Sequence, residues 1–168
     1  MKDIAQGFIL ILTLLVPLSS YAYCFQAAGD TYQIDPLLLI SIADVESSMN
    51  YKAIGQNKKN GVVKSEDLGL MQINTSWLPK LGKSFGITRE HLLNNPCQNV
   101  YVGAYVLANN ISSNGVNWES IGAYNAGFKS ANEEFRLRYA KKVYSKYINL
   151  LRGNRAIIIA KASRGERV

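Results

Sequence analysis

The chain has 168 residues, 48% of them hydrophobic, and a formal net charge of +7, which bounds it to one domain with a sizeable core. The charge is uneven: residues 1–128 carry a net −1 and residues 129–168 a net +8. No nucleic-acid motif accompanies the basic part, no Gly-rich phosphate loop is present, and one histidine with two cysteines supports no metal site.

The first residues read as a secretory signal. Lys2 is a short basic start, Phe8-Ile9-Leu10-Ile11-Leu12-Thr13-Leu14-Leu15-Val16 is an apolar core, and Ser20-Tyr21-Ala22 is a small-x-small cleavage site. The run is short for a bilayer span, though an uncleaved anchor is the alternative. Tyr23 is bulky where a lipoprotein signal has a small residue, which argues against lipidation at Cys24. Cleavage after Ala22 leaves about 146 residues and both cysteines. In an exported chain Cys24 and Cys97 read most simply as one disulfide, which closes a loop of more than seventy residues and contributes roughly 4 kcal/mol in the chain-entropy model. Two free buried thiols are the other option.

After cleavage the pattern is mainly helical. A short helix is expected from Cys24 to Tyr32 and a second over 36–49, with Asp35 as N-cap and Pro36 as first helical residue. Residues 51–67 are turn-rich or a small β segment, centred on Asn57-Lys58-Lys59-Asn60-Gly61. Short helices should follow Asn74-Thr75-Ser76 and Thr88. A longer one opens at Asn95-Pro96 with Val100, Ala104 and Leu107 as its stripe, and Asn117 caps another that ends at Gly127. Residues 131–151 form a basic amphipathic helix containing Phe135, Tyr139, Val143, Tyr147 and Leu150. The division is therefore a signal at 1–22, a helical domain at 23–151 and a basic tail at 152–168. The tail is either disordered or a weak surface-binding helix drawn to anionic envelope surfaces; simple solvation of these charges is the plainer reading.

Glu46 is the residue that stands out. Steps of four and three put Leu39, Ala43 and Glu46 on one helix face, so a carboxylate is aimed at the core. Burial and the negative end of the helix dipole both raise its pKa, as a general acid near neutral pH requires. The bland alternative is a solvated Glu at a fraying helix end. Three more stretches bear on it: Asp67-Leu68-Gly69-Leu70-Met71-Gln72-Ile73-Asn74, Gly122-Ala123-Tyr124-Asn125-Ala126-Gly127, and Arg138-Tyr139-Ala140-Lys141-Lys142-Val143. Amides of Gln72 and Asn74 suit sugar hydroxyls and acetamido groups. Tyr139 is either a core aromatic or a hydroxyl aimed at Glu46. His91 reads as a surface residue.

In this order and spacing, Glu46-Ser47, Gly69 to Asn74, Ala123 to Gly127 and Tyr139 resemble the lysozyme-like soluble lytic transglycosylase family. The likeness is greatest to small exported members that accompany type III secretion, type IV secretion, conjugation or type IV pilus systems. It runs from about Cys24 to Tyr147, and Cys97 after Asn95-Pro96 matches that subgroup too. The resemblance implies a goose-type helical fold and a periplasmic, monomeric enzyme without cofactor. Its implied partners are peptidoglycan strands and components of a trans-envelope apparatus, and not nucleic acid. It makes Glu46 the acid and then the base that cleaves the β-1,4 bond between N-acetylmuramic acid and N-acetylglucosamine with closure of a 1,6-anhydro ring. One carboxylate then suffices where most glycosidases use two. Asp67 is a candidate second carboxylate; a solvated loop Asp, or an inward Glu66 in its place, is the alternative. Ser47, Met71, Gln72, Asn74, Tyr124, Asn125 and Tyr139 are the expected substrate-binding residues, with a helix-end cap as the plainer role for Ser47 and core packing for Met71. A hydrolytic muramidase using Glu46 with Asp67, or a non-catalytic wall-binding adaptor, are the competing functions.

Overall fold

The structure is a computed structural model and describes residues 23–168; the signal peptide expected at 1–22 lies outside the described residues. Capping residues decide where most helices begin. In α2 (Pro36–Ser47) the Asp35 carboxylate accepts from the Leu37 amide at 2.8 Å and Pro36 supplies the pre-set φ. The same logic starts α5 (Pro96–Asn114) at Asn95, α6 (Trp118–Ala126) at Asn117 and α4 (Arg89–Asn94) at Thr88. The remaining helices are α1 (Phe25–Tyr32), α3 (Leu78–Phe85), α7 (Glu133–Leu151) and α8 (Arg155–Ser163).

The turn-rich stretch forms a three-stranded antiparallel sheet, β1 (Ile54–Lys59), β2 (Val62–Leu68) and β3 (Ile73–Asn74), in the order β1-β2-β3. Asn60 and Gly61 both have positive φ, 53° and 76°, the chemistry of a tight two-residue hairpin turn. A register shift between Asn57 and Lys58 leaves Gly55 opposite Asp67 and Gln56 opposite Glu66.

Leu37, Leu39, Ile40 and Ile42 of α2, and Val100, Ala104 and Leu107 of α5, share one buried core with Leu68, Leu70 and Met71. Gly103 of α5 is required there: a Cβ on it would come within 2.9 Å of three Met71 side-chain atoms. Cys24 and Cys97 form a disulfide that ties the start of α1 to the start of α5.

Two segments differ from the sequence expectation. Phe135, one of the apolar residues named in the amphipathic helix expected at 131–151, is 54% exposed on α7. The tail, expected to be either disordered or a weak surface-binding helix, contains α8, capped by Asn154 and fixed to the domain. Arg155 pairs with Asp35, Ala162 is buried, and the Tyr23 amide donates to the Ser163 carbonyl at 2.8 Å. Its apolar residues Ile158 and Ile159 lean on the same core, so burial and one ion pair hold a helix whose composition alone suggested solvation. Among the described residues no helix is long and apolar enough to cross a membrane.

Candidate active site

Glu46 occupies the last turn of α2. The helix stops at Ser47 because Ser48 and Met49 both turn left-handed, with φ of 52° and 66°. Leu39 and Ala43, on the same face, are fully buried, so the Glu46 carboxyl enters a desolvated setting. Burial is the main cause that pushes it up to about 7. The negative charge of Asp67 adds to the rise, while a hydrogen bond from Tyr139 and the charge of Lys142 oppose it. The Tyr139 hydroxyl donates to Glu46 Oε1 at 2.6 Å.

Tyr139 comes from α7 and packs parallel to Tyr124 of α6, with ring centroids 6.4 Å apart and planes 13° apart. Burial, and then the nearby Glu46, holds both phenols well above their ordinary pKa. Both therefore remain protonated donors. The Tyr124 hydroxyl donates to the Met71 carbonyl at 2.9 Å, which joins α6 to the chain between β2 and β3.

That connecting turn is built as a scaffold. Ser47 donates to the carbonyls of Ala43 at 3.1 Å and Leu70 at 2.7 Å, so it fastens the end of α2 to the turn. Gln72, at a positive φ of 48°, donates to the Gly69 and Ala53 carbonyls. The Met71 side chain is fully buried. Asn99 of α5, which the sequence reading passed over, is the strut beneath. It accepts from the Met71 amide at 2.7 Å and donates to the Leu68 and Leu92 carbonyls at 2.9 Å. A Cβ on Gly69, whose φ is +72°, would lie 2.4 Å from the Asn99 amide nitrogen. The only signal for Asn99 is a polar amide inside an otherwise apolar helical stretch.

Strand alternation separates the two adjacent carboxylates of β2. Glu66 turns to Arg89, which grips it with two hydrogen bonds of 2.8 and 3.2 Å and holds its carboxyl below the usual range. Asp67 turns the other way. Its two oxygens accept from Asn57 at 2.8 Å and Asn74 at 2.7 Å, and its charge is felt at both Glu46 and Tyr124. Asn74 also bonds Ser65 and caps the short 3-10 turn Thr75–Trp77.

A cleft of about 360 Å³ opens at the Glu46–Tyr139 pair, lined besides by Val45, Asn125, Phe135, Arg138 and Lys142. Asn125 is exposed there. The structure thus brings Glu46, Tyr139 and Asn125 to one cleft. It sets Asp67 within electrostatic reach and uses Ser47, Met71, Gln72, Asn74 and Tyr124 in the bonds and packing around it. Phe135, Arg138 and Lys142 are cleft residues to which the sequence reading gave no role, although it named the stretches that hold them. His91 is exposed and takes part in the cap of its own helix. No group of three or more His, Cys, Asp or Glu among the described residues is placed to hold a metal ion.

Comparison with known proteins bears on the helical fold that carries this cleft. A family model for the transglycosylase SLT domain matches residues 23–147. The chain belongs to this family. It is 42% identical over 157 residues to a peptidoglycan-binding-like protein of Escherichia coli O157:H7, covering 89% of this chain and 93% of that one. It is 41% identical over 143 residues to the invasion protein IagB of Salmonella typhimurium strain SL1344, covering 85% and 86%. An X polypeptide of Escherichia coli strain K12 is 43% identical over 129 residues, covering 76% and 73%. The fold is the helical, lysozyme-like fold of SLT domains, with the small sheet at residues 54–74. SLT-domain proteins act on peptidoglycan, which lies outside the cytoplasm.

Proposed function

We propose that this SLT-domain protein is a lytic transglycosylase. It cleaves the β-1,4 bond between N-acetylmuramic acid and N-acetylglucosamine and leaves 1,6-anhydromuramic ends. The observation that carries the reading is the Glu46 carboxyl, pushed up to about 7 at the mouth of the cleft and held by Tyr139 at 2.6 Å. Such a group is about half protonated at neutral pH and largely so below it, so it can give its proton to the glycosidic oxygen. Once ionised, it takes the proton from the muramic 6-hydroxyl, whose oxygen closes on the anomeric carbon. The nucleophile is intramolecular, so no water needs to be activated.

Asp67, held by two amides, stabilises positive charge on the sugar as the bond breaks. Asn125 contacts the substrate in the cleft. Ser47, Met71, Gln72, Asn74 and Tyr124 act on the substrate through the turn they hold in place. The enzyme, exported by a cleaved signal and working as a monomer in the periplasm, opens the wall locally for a secretion, conjugation or pilus apparatus; the name of one relative, a peptidoglycan-binding-like protein, supports only the part of this setting that concerns the wall.

Mass analysis of purified wall digested by the protein tests this. Anhydro fragments, one water lighter than hydrolysed ones, are expected from the wild type. Glu46→Gln should lower their formation by at least about a hundredfold. Mostly reducing ends would instead establish hydrolysis by Glu46 with Asp67. Undiminished digestion by Glu46→Gln would remove Glu46 from the chemistry.

A further inference from the structure

Helix α7 is apolar on two faces. Tyr139, Val143 and Leu150 are buried in the core. On another face Leu137, Tyr144 and Leu151 are exposed and Ile148 is half-buried, and none of the four belongs to the core. With Lys141 they follow one another at steps of four, three, four and three, so they form one stripe along the helix. Trp118, at the start of α6, stands over this stripe, its ring perpendicular to that of Tyr144 with centroids 5.0 Å apart. An open groove of about 400 Å³ lies between them, lined also by Leu137, Ala140 and Lys141.

The stripe is set in positive charge. Residues 137–152 hold five Lys or Arg and no Asp or Glu. Lys141 within the stripe and Arg152 at its end make no ion pair or side-chain hydrogen bond among the described residues. The nearby carboxylates gather at the other end, where Glu119 is held by Arg136 at 3.4 Å and Glu134 by Arg138 at 3.5 Å. In the tail, by contrast, Arg155 is taken up by Asp35 and Arg164 by Glu166.

This composition selects among possible occupants. A second copy of the same face would bring like charges together, and a lysine at the middle of the stripe weakens a dry helix-to-helix seam. An anionic bilayer surface meets both features. The Trp118 indole N–H and the Tyr144 hydroxyl have no hydrogen-bond partner among the described residues. At a bilayer interface such rings sit at headgroup level, with the polar edge in water. Lysine and arginine lay their apolar stems against the acyl boundary and hold their charge among the phosphates.

We propose that the Trp118–Tyr144 face of α6 and α7 docks on the surface of a bilayer that contains anionic phospholipid. The contact is peripheral, since no helix among the described residues is long and apolar enough to cross a membrane. The cleft stays open during it. At ~100° per residue, the cleft residues Phe135, Arg138, Tyr139 and Lys142 lie on a different flank of α7 from the stripe. The enzyme can thus rest on a membrane with Glu46 turned away from the lipid. The docking does not depend on the transglycosylase reading, because it needs no catalysis.

The test uses the processed chain, which begins at Tyr23 and holds the whole core described above. Its sedimentation with vesicles of phosphatidylglycerol mixed with phosphatidylethanolamine is compared, at physiological salt, with vesicles of phosphatidylcholine alone. The anionic vesicles should bind at least about tenfold more tightly. Trp118 fluorescence, isolated by Trp77→Phe, should shift to the blue on binding. Trp118→Ser with Tyr144→Ser should weaken binding by about tenfold or more. Lys141→Gln with Arg152→Gln, which touches only exposed side chains, should weaken it roughly thirtyfold. Lys58→Gln with Lys59→Gln removes the same charge from the exposed β1 and should change it by less than about threefold. Failure to bind anionic vesicles, or equal binding to both kinds, would overturn the proposal. So would equal losses from the β1 and α7 charge variants, which would reduce the attraction to net charge. A dimer abolished by Trp118→Ser, without vesicle binding, would give the face to a second copy. Binding of a glutamate-rich amphipathic peptide helix, again without vesicle binding, would give it to a protein partner.

Discussion

Helix α2 has a carboxylate at each end, and each accepts a hydrogen bond from a tyrosine of α7. Tyr147 donates to Asp35 at 2.8 Å and Tyr139 to Glu46 at 2.6 Å. The outcomes are opposite. At Asp35, burial pushes the carboxyl up, but Arg155, the Leu37 amide and Tyr147 together outweigh it and hold it below its usual value. At Glu46, burial prevails over the single tyrosine, Asp67 adds to it, and the carboxyl reaches about 7. The ends of the helix dipole act in the same two directions. One pair of packed helices thus makes a structural anion at one end and a proton donor at the other. The difference lies in the number of donors and in desolvation.

The largest expected effect that sharpens this contrast is on stability. Because the folded-state pKa of Glu46 exceeds its ordinary value, the native state holds a proton that the unfolded chain releases between about 4.5 and 7. Wild-type stability therefore falls as pH rises through that window. Glu46→Gln stays neutral throughout, so at pH 8 it should be more stable than the wild type by up to about 3 kcal/mol, a gap that closes below pH 4.5. Denaturant melts across that range check it, and a variant less stable than the wild type at pH 8 would contradict it.

Asp35→Ala acts at the other end with the opposite sign. It removes a helix cap and leaves Arg155 and Tyr147 without their partner, which should cost about 1–2 kcal/mol at neutral pH. Since Asp35 titrates below its usual value, its contribution is present above that value and lost as pH falls through the folded one. The alkaline limb of the activity profile, set by Glu46, should not move. A shifted limb would show that the two ends are not independent.

Tyr139→Phe is the smallest and most local change. It removes the one hydrogen bond that favours ionised Glu46, so the alkaline limb of kcat/KM should move to higher pH. Loss of one donor should lower the maximal rate by no more than roughly tenfold. A limb displaced to lower pH would contradict the assigned role of that bond.

Much of this was legible in the sequence because it rests on local rules. Asp35-Pro36, Asn95-Pro96 and Asn117 announce their helices through caps. The spacing of Leu39, Ala43 and Glu46 gives the inward carboxylate through helical period alone. The choice between Glu66 and Asp67 was not legible. Alternation says that the two face apart, but which one faces Glu46 depends on the Asn60-Gly61 turn and the register shift after Asn57. The meeting of Arg155 with Asp35, 120 residues apart, and the place of Arg138 and Lys142 in the cleft are likewise products of tertiary packing. The strut role of Asn99 depends on carbonyls from two other segments, which no local pattern encodes.

The central claim is that the end of α2 makes Glu46 an acid that works near neutral pH. Carbon-13 NMR of the Glu46 side-chain carboxyl, assigned by its disappearance in Glu46→Gln, tests this most directly. A titration midpoint of about 7 in the free protein is the predicted result. A midpoint at or below the ordinary 4.5 would contradict the account.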